Sequence, residues 1–221
     1  MQKTLDSLGD RLRAHGLRIL HSTRPTVEWP PSPTGVQSVL IIGHGGSEFW
    51  PHFKSSPEFI DGRPDPLDRW SRRVIGAAGP DMEFVSPSEG PPYPPLHALS
   101  TGGAMHPSPL GLLAHSEFGL WTAIRGLLLS HTAMPESPAY PPLERQIFAG
   151  CFKACPVGAF SETGYAAADC ARFLLSDLTA PCWYGCRARR ACTQGEEYAY
   201  TPDHAKFHMD SFTRAMAKRG L

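Results

Sequence analysis

No stretch of the 221-residue chain approaches the ~20 consecutive apolar residues that a bilayer-spanning helix needs, so no membrane anchor is expected. The opening MQKTLDSLGDRLRAHGLRIL carries Asp6 and Asp10 and has no apolar core, so a secretory signal is not expected either. Net charge is missing as well. The 21 basic and 21 acidic residues balance, which leaves no global field to gather nucleic acid or an anionic membrane. There is no Rossmann fingerprint, no P-loop and no nucleophile elbow. Cysteine is absent before residue 151, and all 6 cysteines fall between 151 and 192. These absences predict a cytoplasmic protein without membrane or nucleic-acid partners. In that compartment the cysteines are expected as thiols, metal ligands or redox groups rather than structural disulfides.

What is present is a chain able to fold. Hydrophobic residues make up 41%, enough for a packed core. The 23 prolines and 21 glycines predict many turns rather than a helical bundle. Leu5, Leu8 and Leu12 recur at helical spacing, so residues 1–15 read as an amphipathic helix stopped at Gly16. Leu17–Leu20 reads as a short strand, and Val36–Gly43 as a buried, β-branched one. Asp65–Ala78 places Leu67, Trp70, Val74 and Ile75 on one helical face. Met82–Val85, Leu110–Leu113 and Ile124–Ser130 read as further strands. The last helix starts at Thr201–Pro202, with Phe207, Phe212 and Met216 as its expected inward stripe. The mixture predicts an α/β or α+β fold with one central sheet. A proline-rich link, HTAMPESPAYPP, divides a body of residues 1–135 from a cysteine-rich segment, 136–221.

The most informative stretch is LLAHSEFGLWTAIRGLLLS, residues 112–130. His115, Phe118, Gly119, Trp121, Ala123, Ile124, Arg125 and Gly126 form a histidine, an aromatic–Gly–x–Trp and an Ala-Ile-Arg-Gly run into an apolar strand. This pattern resembles the cobalamin-processing CblC family. Further on, Cys151-x3-Cys155-Pro156 resembles the end of a bacterial ferredoxin motif. Cys170-Ala-Arg-Phe-Leu and Tyr184-Gly185-Cys186 resemble stretches of the epoxyqueuosine reductases, which join a cobalamin domain to a two-cluster ferredoxin domain. The resemblance implies a nitroreductase-like sandwich carrying cobalamin, followed by a small ferredoxin-like segment. It also implies a reductase or corrinoid-processing enzyme served by an electron donor such as a flavodoxin or ferredoxin. A non-catalytic corrinoid carrier, or an electron-transfer scaffold that has lost the cobalamin site, are the alternatives.

The two-cluster pattern is incomplete. A full motif needs C-x2-C-x2-C-x3-C-P. The two upstream ligand positions hold Arg145 and Phe148, and a further one holds Arg189. The crossing rule of such double motifs then groups Cys155, Cys170 and Cys186, with Cys182 standing in for the ligand missing at 189. One [4Fe–4S] cluster on those four is the leading expectation, with Cys151 and Cys192 as orphans or alternates. A metal-free remnant, zinc, or a redox-active thiol are the other readings. Lys153, Arg187, Arg189 and Arg190 place positive charge along the same stretch.

For the cobalamin site the resemblance implies His115 as the residue nearest the cofactor, ligating cobalt or donating a hydrogen bond. Phe118, Gly119, Trp121 and Arg125 lie around it. Tyr93, His97 and His106, in the proline-rich stretch, are candidate polar tips over a cofactor face. Phe118 and Trp121 are equally readable as core. Arg125, if buried, needs a carboxylate, phosphate or amide partner. His204 and His208 stand four apart on the last helix, but position 205 is Ala205, so HEXXH is absent and a solvated face is expected.

Overall fold

The computed structural model describes residues 2–25, 35–87, 89, 103, 105–141, 143–161 and 164–220. The chain forms two compact units, one of residues 1–106 with 122–141, the other of 107–121 with 142–221.

In the first unit, helix α1 (Gln2–Arg13) buries Leu8 and Leu12 completely, as the leucine spacing dictates. Gly16 follows with φ +70° and ends the turn. Strand β1 (Arg18–Thr23) leads to β2 (Ser38–Gly45), in which every residue is buried. Val39, Leu40, Ile41 and Ile42 are wholly inaccessible, which explains a continuous rather than alternating apolar run. Two short helices, α2 (Trp50–Lys54) and α3 (Pro57–Ile60), precede α4 (Pro66–Ala78). Helix α4 buries Leu67, Trp70, Val74, Ile75 and Ala78, the face its sequence predicts. Phe49 and Phe53 each lie 5.7 Å from the Trp70 ring, and all three are buried in the core. After β3 (Glu83–Val85) and β4 (Met105–Pro107), the chain crosses to the second unit for strand β5 (Leu113–His115) and returns as β6 (Thr122–Ser130). The main sheet has the order β1-β2-β6-β3 with every pairing antiparallel, which makes the fold α+β rather than α/β.

The second unit is built from short pieces: α5 (Ala149–Lys153), β7 (Phe160–Ser161), β8 (Gly164–Tyr165), α6 (Ala167–Ser176), α7 (Arg187–Arg190) and α8 (Pro202–Lys218). A 3₁₀ turn, Pro181–Tyr184, lies between α6 and α7. Leu113 begins β5, but Leu110 lies in a turn, so the expected Leu110–Leu113 strand starts three residues later. Helix α8 begins at the expected proline, although Thr201 makes no side-chain cap. Its buried residues are His204, Ala205 and Thr213, while Phe207, Phe212 and Met216 of the expected stripe are half-buried, Phe212 against the Leu174–Trp183 cluster. Among the described residues no helix is long and apolar enough to cross a membrane.

Candidate cofactor sites

Four of the predicted cobalamin-site residues lie in one turn of the second unit. His115 and Gly119 exchange backbone hydrogen bonds of 2.7 and 3.0 Å, which close the turn. The His115 Nδ1 accepts the backbone N–H groups of Glu117 at 3.0 Å and Phe118 at 3.4 Å. Two donors on Nδ1 keep that nitrogen unprotonated in the neutral ring, so the ring proton sits on Nε2. The ring stacks on Phe118 at 4.6 Å, and Phe118 meets Tyr198 edge-on at 4.8 Å.

Gly119 is required by space. It has φ +53°, and a Cβ there would stand 1.9 Å from the Gln194 carbonyl oxygen. The contact is reciprocal: at Gly195, φ +72°, a Cβ would come within 2.5 Å of the Phe118 carbonyl. The Gln194 side chain donates to the Ser116 carbonyl at 3.1 Å and fastens the same approach. Trp121 is 1% exposed and packs on Tyr200 at 5.4 Å. Its indole N–H is buried with no hydrogen-bond partner. Arg189 places its guanidinium carbon 4.4 Å over Trp121 and 4.3 Å over Tyr200, while Nε and Nη2 both donate to the Leu120 carbonyl. At the position where the ferredoxin pattern has a cysteine, this chain therefore has a latch on the Trp121 turn.

The remaining candidates lie elsewhere. Arg125, on β6 of the first unit, donates from Nε to the Ile124 carbonyl at 2.8 Å, with Nη1 3.9 Å from Asp68. Its carboxylate partner is thus within the chain. His106, also in the first unit, donates from Nε2 to the Tyr140 carbonyl at 2.8 Å. Tyr93 and His97 fall outside the described residues.

The cysteines divide as the motif spacing divides them. Cys155, Cys170, Cys182 and Cys186 line one small pocket with a cavity volume of about 20 Å³. They come from four separate pieces: the turn after α5, α6, the 3₁₀ turn and the start of α7. The Ala159 N–H reaches Cys155 Sγ at 3.3 Å. Burial pushes the Cys170, Cys182 and Cys186 thiols up, and repulsion among the sulfurs adds to it. Desolvation beside the same sulfurs also raises the Tyr165 phenol. Thiolates gathered here repel one another without a positive centre among them.

Cys151 and Cys192 are joined in a disulfide, contrary to the expectation of six unpaired thiols, and are not available as ligands. Both are buried among Leu110, Ala114, Leu120, Phe148 and Ala188, where pairing removes two thiols from an apolar setting. Among the described residues no group of three or more His, Cys, Asp or Glu is placed to hold a metal ion, the four thiols included.

The last helix holds a pair whose environment differs from the solvated face expected of it. His204 is fully buried and stacks on Tyr200 at 3.9 Å. Its Nε2 stands 3.0 Å from Nε2 of His208. Composition treats histidine as polar, whereas the Tyr200 ring that covers His204 comes from the loop before the helix and leaves no periodic trace. Gln194, Tyr198 and Tyr200 carry no sequence signal for the same reason, and the positive charge read at Arg189 does not announce its stack on Trp121. Only the glycines at 119 and 195 could have marked the close approach.

No family model and no curated protein matches the sequence. Among solved structures, the fold is similar to that of a Caenorhabditis elegans B12-trafficking protein, CblC, described as a homologue of human MMACHC. The likeness covers 94% of this chain and 91% of that one, with a TM-score of 0.51 and 14% sequence identity, and is one of fold.

Proposed function

We propose that this chain binds a corrinoid in a nitroreductase-like body of residues 1–135 and processes it reductively, with the 136–221 segment holding one [4Fe–4S] cluster. The observation that carries the corrinoid reading is the fold shared along 94% of the chain with a B12-trafficking protein. The Ala-Ile-Arg-Gly run on β6 and the turn before it supply the motif that agrees with it.

In this reading His115 offers its Nε2–H to the corrinoid as a hydrogen-bond donor rather than a cobalt ligand, because Nδ1 is taken by two backbone donors. Phe118, Gly119 and Trp121 shape the turn that holds His115. The cluster part is supported by four thiols that line one pocket. When bound, such a cluster supplies single electrons, and a flavodoxin or ferredoxin is the proposed source. The backbone N–H of Ala159 would favour the more negative state of Cys155. The cytoplasm is the proposed compartment. The buried disulfide is compatible with it, because Cys151 and Cys192 are 0% and 1% exposed and thus out of reach of soluble thiols.

A carrier that delivers the corrinoid without turnover is the second reading, favoured by the trafficking role named for the structural neighbour. Anaerobically purified protein is titrated with cobalamin and followed by absorbance. A shift to the base-off spectrum is expected, together with a broad band near ~400 nm that reductant bleaches and Cys170→Ser abolishes. Turnover with a reductant then separates enzyme from carrier. Absence of any cobalamin spectral change sinks the corrinoid reading, and absence of iron and sulfide sinks the cluster.

A further inference from the structure

Helix α8 carries a second arrangement of ligating atoms that the corrinoid and cluster readings do not use. His204 and His208 lie one turn apart and point their Nε2 atoms at each other across 3.0 Å. The rings are 4.9 Å apart between centroids and inclined by 49°. His204 is held by the stacked Tyr200 ring, and His208 has Phe207 against it at 5.7 Å. Neither ring has to be recruited from elsewhere in the fold.

We propose that His204 and His208 form a two-histidine site for a divalent first-row transition ion of the nickel or copper class. An ion about 2.1 Å from each nitrogen, the usual imidazole distance, would see the two at roughly 90°. That is the cis angle of octahedral or square-planar coordination, the geometry of nickel(II) and copper(II). Tetrahedral zinc needs the nitrogens further apart. Without the ion, the same separation is an N–H···N hydrogen bond between neutral rings. Loading moves the donor ring's proton from Nε2 to Nδ1, so both Nε2 lone pairs face one centre and no net proton is lost. Among the described residues no third His, Cys, Asp or Glu joins the pair, so the other positions are left to water or an incoming ligand. Arg189 and Arg190 are cations on the Tyr200 side of this group, and Lys206, between the two histidines on the helix, is paired with Asp210. Both arginines are already committed to carbonyls: Arg189 to Leu120, Arg190 to Tyr184 and Tyr200.

The test is a nickel(II) titration of chelator-treated full-length protein by calorimetry and absorbance. The expected result is one equivalent bound without sulfur-to-nickel charge-transfer absorption, lost in His208→Gln and kept in Cys170→Ser. Unchanged nickel binding in H208Q, or charge-transfer absorption that accounts for all the bound metal, overturns the assignment. Should H208Q fail to fold by circular dichroism, electron paramagnetic resonance of copper(II)-loaded wild-type protein decides. Hyperfine splitting from two imidazole nitrogens upholds the site, and any other ligand pattern refutes it.

Discussion

Replacing Gly119 by alanine separates two explanations of a motif glycine: service to a cofactor, or service to the fold. The backbone there has φ +53°, a left-handed conformation that costs an L-residue about 1–2 kcal/mol. The added methyl group would lie 1.9 Å from the Gln194 carbonyl oxygen, a backbone atom. Gln194 cannot swing aside, since its side chain is tied to the Ser116 carbonyl and Gly195 packs on Phe118 from the same loop. Forced overpacking of this kind adds about 1–3 kcal/mol. G119A should therefore lose about 2–5 kcal/mol in urea unfolding followed by far-ultraviolet circular dichroism, with no ligand present. Gly150→Ala is the control. Gly150 lies within α5, and an added methyl group there would meet nothing within 4 Å, so that change should be neutral or stabilise by about 0.5–1 kcal/mol. A G119A protein within ~0.5 kcal/mol of wild type, the noise range of surface substitutions, would refute the reasoning and return the glycine to the cofactor.

Two further outcomes follow from named contacts. Glu58, with its side chain 11% exposed, receives two bonds from Arg73, which hold its carboxyl down at about 2, against an ordinary value of 4.5. A depressed carboxyl stabilises the fold above its unfolded value, so the contribution is complete above pH 4.5 and disappears as pH falls toward 2. Arg73 is half exposed, so after solvent screening the pair is worth roughly 1 kcal/mol. Glu58→Gln should be less stable than wild type by that amount at pH 7, with the difference closing between pH 4.5 and 2 in unfolding curves. Arg189→Lys keeps the charge but loses the planar stack on Trp121 and Tyr200 and the paired donation to Leu120. It should destabilise by about 1–2 kcal/mol and alter Trp121 emission, whereas an unchanged midpoint would show the stack to be idle.

How much of this was legible depended on whether the cause was local. Helices α1 and α4 and strands β2 and β6 were readable because their burial follows a period or an unbroken apolar run. The antiparallel order of the sheet was not, since strand partners are chosen by non-local pairing. The stripe of α8 was readable only in part: Phe212 packs on the Leu174–Trp183 cluster, but the most buried face, His204 and Ala205, lies against the aromatic loop residue Tyr200, which no helical period announces. The grouping of Cys155, Cys170, Cys182 and Cys186 was available from ligand spacing, whereas the Cys151–Cys192 bond was not. Those two cysteines are 41 residues apart and meet only because α5 and the end of α7 pack together.

The second unit has a stability problem that its sequence explains. Its helices α5 and α7 have 5 and 4 residues, and neither forms alone in water. Its apolar groups are small clusters, and a fold of such pieces ordinarily needs covalent or metal staples. One staple is the disulfide: closing a loop of 41 residues removes unfolded-state entropy worth about 4 kcal/mol. Another is Arg189, which ties the Leu120 carbonyl, Trp121 and Tyr200 together. An arginine at 189 and paired sulfurs at 151 and 192 are thus what hold the loops in place. The four remaining thiols are not tied in this way. Burial and mutual repulsion leave Cys170, Cys182 and Cys186 costly as thiolates. A positive centre among the sulfurs would offset that repulsion, so the iron content of anaerobically prepared protein decides between the proposed cluster and a plain thiol core.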